Sequence, residues 1–163
     1  MSDTKTVKDI FAPDQQEARQ RIAKMLEKAY WMEMETVMSY ISNSVNLDGV
    51  RAREVSESLQ QDVPEELGHA QLFANRIKEL YGVVPGSLQF KAEQVFLQPP
   101  AKQTDVAHVI KGVIEAESGA IEHYTRIIEE TDGVDWVTQD MVIGILHGEQ
   151  GHRRLFEGYL REF

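Results

Sequence analysis

The sequence predicts an all-α protein, an antiparallel four-helix bundle with one long crossover between its second and third helices. Three observations predict it. Apolar residues recur at helical spacing through four long stretches, turn residues divide the stretches into two close pairs, and about twenty loop residues separate the pairs. No stretch alternates apolar and polar residues with β-branched enrichment, so no strand is expected. At 163 residues the chain is long enough for one domain with a proper core.

Residues 1–14 are expected to be a flexible N-terminal tail ending near Pro13, and residues 15–163 the bundle. The first helix is predicted over 15–46, with Ile22, Met25, Leu26, Ala29, Met32, Val37, Tyr40, Ile41 and Val45 as its apolar positions. Leu47-Asp48-Gly49 ends it, with Gly49 suited to a turn. A second helix is predicted from Val50 to Leu80, stopping at Tyr81-Gly82. Pro64 falls inside it, where a missing N–H and a ring clash cost about 3 kcal/mol or a kink. The connection over 82–104 contains Pro85, Gly86 and Pro99-Pro100, and its length suits a crossover between distant ends of a bundle. Thr104 and Asp105 offer N-cap chemistry for a third helix reaching about Thr131. Asp132-Gly133 then makes a turn, and a fourth helix spans about Asp135 to Leu160.

Composition excludes several function classes. The chain has no cysteine, which removes disulfides, zinc-thiolate sites and thiol catalysis. Its apolar runs are short and broken by charge, so no membrane partner is expected. Residues 1–11 lack the apolar region of a secretory signal, which leaves a cytoplasmic location as the expectation. The net charge of −10 argues against a nucleic-acid partner and favours attraction of cations, and the opening residues balance lysine with aspartate.

Two Glu-x-x-His tetrads, Glu66-Leu67-Gly68-His69 and Glu149-Gln150-Gly151-His152, fall in the second and fourth helices. Residues three apart share a helical face, so each tetrad aims a carboxylate and an imidazole at one point. Glu33 precedes the first tetrad by 33 residues and Glu117 precedes the second by 32. Each is followed seven residues later by a tyrosine, Tyr40 or Tyr124, again on the same face after two turns. The chain thus reads as two similar halves. Taken singly, a glutamate on a long helix is usually solvated and a lone histidine usually structural; the matched halves set these eight apart. Glu35 and Glu115 lie two residues from Glu33 and Glu117, about 200° around the helix, so only one of each pair can join the group, and the shared tyrosine spacing selects Glu33 and Glu117. His108, His123 and His147 belong to no tetrad and read as surface or packing residues.

One Glu from each of two helices with Glu-x-x-His from each of the other two is a known dinuclear ligand set of bundles. Here it comprises Glu33, Glu66, His69, Glu117, Glu149 and His152. Four carboxylates are costly in a bundle interior, and two divalent cations would balance them. Imidazole and carboxylate together suit two iron or manganese ions, with zinc as another occupant. Glu66 and Glu149 are expected to bridge the ions, Glu33 and Glu117 to be terminal, and each histidine to complete one ion. Tyr40 and Tyr124 are expected to donate O–H to ligand carboxylates.

The stretch Asp135-Trp-Val-Thr-Gln-Asp-Met-Val-Ile-Gly-Ile-Leu-His-Gly-Glu-Gln-Gly-His152 resembles the fourth helix of bacterioferritins. Glu65-Glu-Leu-Gly-His-Ala70 and Ile114-Glu-Ala-Glu-Ser-Gly-Ala-Ile121 resemble their second and third. The chain is thereby similar, over roughly residues 20–160, to the ferritin-like superfamily in its bacterioferritin and Dps-like branch. The resemblance implies a ferroxidase that oxidises Fe(II) at a dinuclear centre within the subunit, using dioxygen or hydrogen peroxide, for iron storage or detoxification in a hollow shell. The six ligands would then be the catalytic residues, holding two irons per subunit. Leu67 stands where bacterioferritins place the haem-ligating methionine, so no haem is expected. Phe163 comes eleven residues after His152, leaving no fifth helix, which favours a homo-oligomeric shell of twelve subunits over one of 24. The thiol pair of some Dps-like ferritins is absent. Other readings of the same bundle are a rubrerythrin-like peroxidase, a dimanganese catalase, or a metal-binding scaffold without activity.

Overall fold

A computed structural model of the chain describes residues 9–163. It contains four long helices: α1 Gln16–Asn46, α2 Arg53–Glu79, α3 Val106–Thr131 and α4 Trp136–Leu160, with no strand among the described residues. α1 packs along α2 and α3 along α4, and the two hairpins close on one another to form the expected four-helix bundle. The crossover between α2 and α3 carries two short 3-10 turns, Ser87–Gln89 and Val95–Leu97. Among the described residues, no helix is long and apolar enough to cross a membrane.

Of the expected N-terminal tail, residues 1–8 lie outside the described residues. From Asp9 onward the chain is held against the bundle: Ile10 is buried, and the Arg19 guanidinium donates to the carbonyls of Ile10 and Ala12 at 2.8 and 2.9 Å.

Helix boundaries follow local chemistry. Asp105, rather than Thr104, caps α3 by accepting the His108 N–H at 3.0 Å, and Asp135 caps α4 by accepting the Thr138 N–H at 3.1 Å. Gly49 turns the α1–α2 link at φ +106°, a conformation that side chains disfavour. α2 ends differently. Tyr81 takes the left-handed conformation at φ +64°, its N–H reaches Lys78 O, and the Gly82 N–H reaches Ile77 O at 2.8 Å. That is a Schellman ending with Tyr81 in the left-handed place. Gly82 is required for room instead, because a Cβ there would lie 2.8 Å from the Ile77 side chain.

α2 contains Pro64 in its interior, as its expected span requires. The proline frees the Gln60 carbonyl, and Gln60 is exposed, so water can serve it. Ile41 and Val45 are not core residues but are 49% and 72% exposed, since Tyr40, Asn43 and Ser44 occupy the inward positions of that end of α1.

The core has two apolar clusters. One joins Ile22, Leu26, Phe73, Tyr124, Ile127 and Val142. The other joins Tyr40, Leu59, Leu97, Val109, Ile110 and Phe156. A layer of buried carboxylates and imidazoles lies between them, and each cluster supplies one tyrosine whose hydroxyl reaches that layer.

Candidate metal centre

Each of the four helices sends at least one side chain into the polar layer. Glu33, Glu66, His69 and Glu149 offer oxygen and nitrogen atoms within 4.8 Å of one another, and so do Glu66, Glu117, Glu149 and His152. Glu66 and Glu149 belong to both quartets, each helix of the α2–α4 pair giving one of them. Antiparallel packing explains the convergence. Arg76 meets Thr138 at one end of α2 and α4, and Ser58 meets Tyr159 at the other. That register sets Glu66 opposite His152 and His69 opposite Glu149.

Both imidazoles turn Nδ1 inward. His69 Nδ1 lies 3.1 Å from Glu149, 3.3 Å from Glu66 and 3.7 Å from Glu33. His152 Nδ1 lies 3.3 Å from Glu66, 3.5 Å from Glu149 and 3.9 Å from Glu117. Glu66 Oε1, Glu149 Oε1 and His152 Nδ1 are buried without a hydrogen-bond partner. Three such atoms in one place are costly unless something else satisfies them. A divalent cation accepts lone pairs from oxygen and nitrogen together, so the donor set fits a pair of such ions.

The tyrosines join helices rather than residues of one helix. Tyr40 of α1 donates its hydroxyl to Glu117 of α3, and Tyr124 of α3 donates to Glu33 of α1. α1 and α3 run antiparallel, so a seven-residue step up one is matched by a seven-residue step down the other.

Charge in the metal-free cluster is balanced by protons. Burial pushes Glu33 well above the ordinary carboxylate range, and the nearby Glu66 and Glu149 push it further. Burial raises Glu117 likewise, with Glu149 and Glu66 adding to it. For Glu66, burial is outweighed by the His152 and His69 imidazoles beside it, which leave its pKa lowered. The same balance takes Glu149 down to about 2. Burial alone would lower both imidazoles, but the Glu149 and Glu66 carboxylates beside them raise His69 to about 9 and His152 to about 12. Two imidazolium groups thus face two carboxylates, with two neutral carboxyls beside them. Divalent ions would replace those protons.

Two residues that sequence reasoning passed over flank the outer sides of the imidazoles. His152 Nε2 lies 3.4 Å from Glu65 and 3.7 Å from Asp62, and His69 Nε2 lies 3.9 Å from Glu65. Burial raises the Asp62 carboxyl to about 6, with His152 opposing the rise. The second half of the chain has no equivalent, since the repeat places Gly148 opposite Glu65 and Ile145 opposite Asp62. Gly148 provides room: a Cβ there would stand 3.2 Å from Glu65 Oε1. The i, i+4 and i, i+7 relation of Asp62 and Glu65 to the first tetrad was visible, but not which way the fourth helix would present His152.

The remaining histidines stand apart. His108 is exposed and bonds to the Gln98 carbonyl at 3.0 Å, while His147 is exposed. His123 is buried and donates from Nε2 to Met25 O at 2.9 Å, and burial lowers its pKa. Glu115 is exposed, whereas Glu35 is buried outside the metal quartets and accepts the backbone N–H groups of Glu93 and Gln94.

The chain and its fold are similar to those of known proteins. The chain is 27% identical over 143 residues to the DNA protection during starvation protein of Pyrococcus furiosus, covering 86% of this chain and 77% of that one. It is 24% identical over 148 residues to the bacterioferritin of Desulfovibrio desulfuricans, covering 90% and 78%. The structure superposes with a TM-score of 0.79 and 26% identity on a dodecameric thioferritin, the bacterioferritin-related protein of Bacteroides fragilis, covering 93% and 94%. The family model of the ferritin-like domain matches residues 23–163, and the chain belongs to that family.

Proposed function

We propose that this protein is a ferroxidase that takes Fe(II) as substrate in pairs, gives its electrons to dioxygen or hydrogen peroxide, and stores or detoxifies the Fe(III) in a homo-oligomeric shell. The observation that supports it most is the pair of quartets sharing Glu66 and Glu149. On this reading those two residues bridge the ions. Glu33 with His69, and Glu117 with His152, complete one ion each. The relatives named for bacterioferritin and starvation protection support iron handling, and the dodecameric neighbour supports a shell of twelve.

The chain's own residues then do three things. Tyr40 and Tyr124 keep the terminal carboxylates oriented without ionising, since burial raises both phenols well above their ordinary value and Glu117 and Glu33 add to it. Glu65 beside both imidazoles and Asp62 beside His152 place negative charge near Nε2, which favours a proton there and leaves Nδ1 to face the ions. The protons displaced on loading can leave through Glu65, which is half exposed.

Adding Fe(II) aerobically to metal-free protein should give saturable oxidation at about two irons per chain. Glu66→Ala or Glu149→Ala should abolish it. Oxidation no faster than in buffer alone would end the ferroxidase reading. Light scattering after size-exclusion chromatography should give the mass of twelve 18.6 kDa chains, and a monomer would end the shell.

A further inference from the structure

A groove of about 480 Å³ opens between α1, α3 and the crossover. Met32, Gln94 and Ala116 line it, and the same three residues line a much smaller cavity of about 10 Å³ whose other walls include Glu33, Glu66, Glu117 and Glu149. That inner space holds about one water-sized guest. A single layer of side chains therefore separates the groove from the centre. Gln94 is the member of that layer that belongs to the crossover, and its amide donates to Thr36 Oγ1 at 2.9 Å and Met32 O at 3.3 Å.

The backbone behind Gln94 is fixed by Glu35. This carboxylate is 6% exposed. It accepts the Glu93 N–H at 2.9 and 3.0 Å and the Gln94 N–H at 2.7 Å. Charge-assisted bonds of this kind are short and strong, and they offset the cost of burying the carboxylate. Nothing in the metal quartets uses Glu35. Its contacts all serve to hold the crossover over the inner cavity.

We propose that this groove is the path by which the small neutral oxidant reaches the centre, with the Gln94 side chain as its gate and Glu35 as the positioning residue that keeps the gate in place. The inference rests on the ferroxidase reading and specifies how that centre is supplied. Four basic and four acidic side chains line the groove, so it offers no net attraction to a cation. The closing layer is an amide, a thioether and a methyl group, which a molecule the size of dioxygen or hydrogen peroxide can pass by small rotations. The carboxylates that would draw a metal cation, Asp62 and Glu65, stand at the outer sides of the imidazoles instead.

The test compares wild type with Gln94→Ala, Gln94→Phe and Glu35→Ala, each loaded with Fe(II) anaerobically and then mixed with dioxygen or with peroxide. Gln94→Ala should raise the second-order rate constant for both oxidants about threefold or more, and Gln94→Phe should lower it about tenfold, with Fe(II) stoichiometry unchanged. Glu35→Ala should match Gln94→Ala and also speed hydrogen exchange at the Glu93 and Gln94 amides. Equal rate constants in all four proteins would overturn the path. Crystals of the metal-free wild type under xenon give a reading independent of iron chemistry. Xenon in the groove and inner cavity, lost in Gln94→Phe, supports the path; xenon reaching the centre only from the side of Asp62 and Glu65 overturns it. If wild type fails to oxidise Fe(II), the ferroxidase reading falls by itself and the xenon result still decides the route.

Discussion

Tyr124 of α3 gives its hydroxyl to Glu33 of α1, while Tyr40 of α1 gives its own to Glu117 of α3. Each ring sits in a different apolar cluster, and each hydroxyl ends in the polar layer between them. The two bonds tie the hairpins together at the centre and fix the two carboxylates that lie farther from the imidazole Nδ1 atoms than Glu66 and Glu149 do. Tyr40→Phe and Tyr124→Phe remove one donor each while keeping the ring. Each should weaken binding of Zn(II) about 10- to 100-fold at the ion its carboxylate serves. Calorimetric titration would show this as one weakened site per variant, and two unchanged sites would refute it.

The shared quartet members predict an asymmetry among ligand variants. Glu33→Ala and Glu117→Ala should each leave about one ion per chain, because each touches a single quartet. Glu66→Ala and Glu149→Ala should leave none tightly bound. Elemental analysis after anaerobic loading and desalting distinguishes the cases, and equal losses in all four would remove the bridging roles.

Loading should release protons. With His69 raised to about 9 and His152 to about 12, both imidazoles are protonated at neutral pH in the metal-free chain. An ion can take Nδ1 only after its proton leaves, so about two protons per chain should appear from the imidazoles, and affinity should strengthen as pH rises. An indicator dye in weak buffer measures the release. No release at pH 7 would contradict the charge balance described above.

The same shifts set the metal-free protein's stability against pH. An imidazole raised on folding stabilises fully below its unfolded value of about 6.5, and this is lost as pH climbs through about 9 for His69. Glu149, held down to about 2, works in the other direction: its contribution is full above the ordinary carboxylate value and disappears as pH falls toward 2. The melting temperature of the metal-free protein should therefore drop between pH 7 and about 10, and drop less after Zn(II) loading. A rise over that interval would be inconsistent with the His69 contacts.

Gly148 separates metal affinity from fold stability. Gly148→Ala removes a helix-interior glycine, which favours the folded state by roughly 0.5–1 kcal/mol. Its Cβ would crowd Glu65 Oε1 at 3.2 Å and push that carboxylate away from the imidazoles. Metal affinity should fall several-fold while the melting temperature holds or rises. A loss of both would mean that Gly148 serves packing, not Glu65.

Gly112 reports on the crossover. A Cβ at that position would lie 2.6 Å from the Phe96 carbonyl, a backbone atom that cannot swing aside. Gly112→Ala should cost about 1–3 kcal/mol in urea unfolding. A neutral result would show that the crossover moves freely over α3.

Much of this molecule is written in residue spacing. The 3.6-residue period specifies four helices, Asp132-Gly133 and Leu47-Asp48-Gly49 specify the short links, and the repeated Glu-x6-Tyr and Glu-x-x-His spacings specify which side chains share a face. These features are local or repeat locally, so they need no knowledge of the partner helix. Tertiary packing decided the rest. The tyrosines cross between hairpins because α1 and α3 are antiparallel, which seven-residue spacing within one helix does not reveal. Glu35 is buried because the crossover settles on it, and Glu65 reaches both imidazoles because Gly148 on another helix leaves the space. Spacing determines what a helix presents, and only the register between helices determines what it meets.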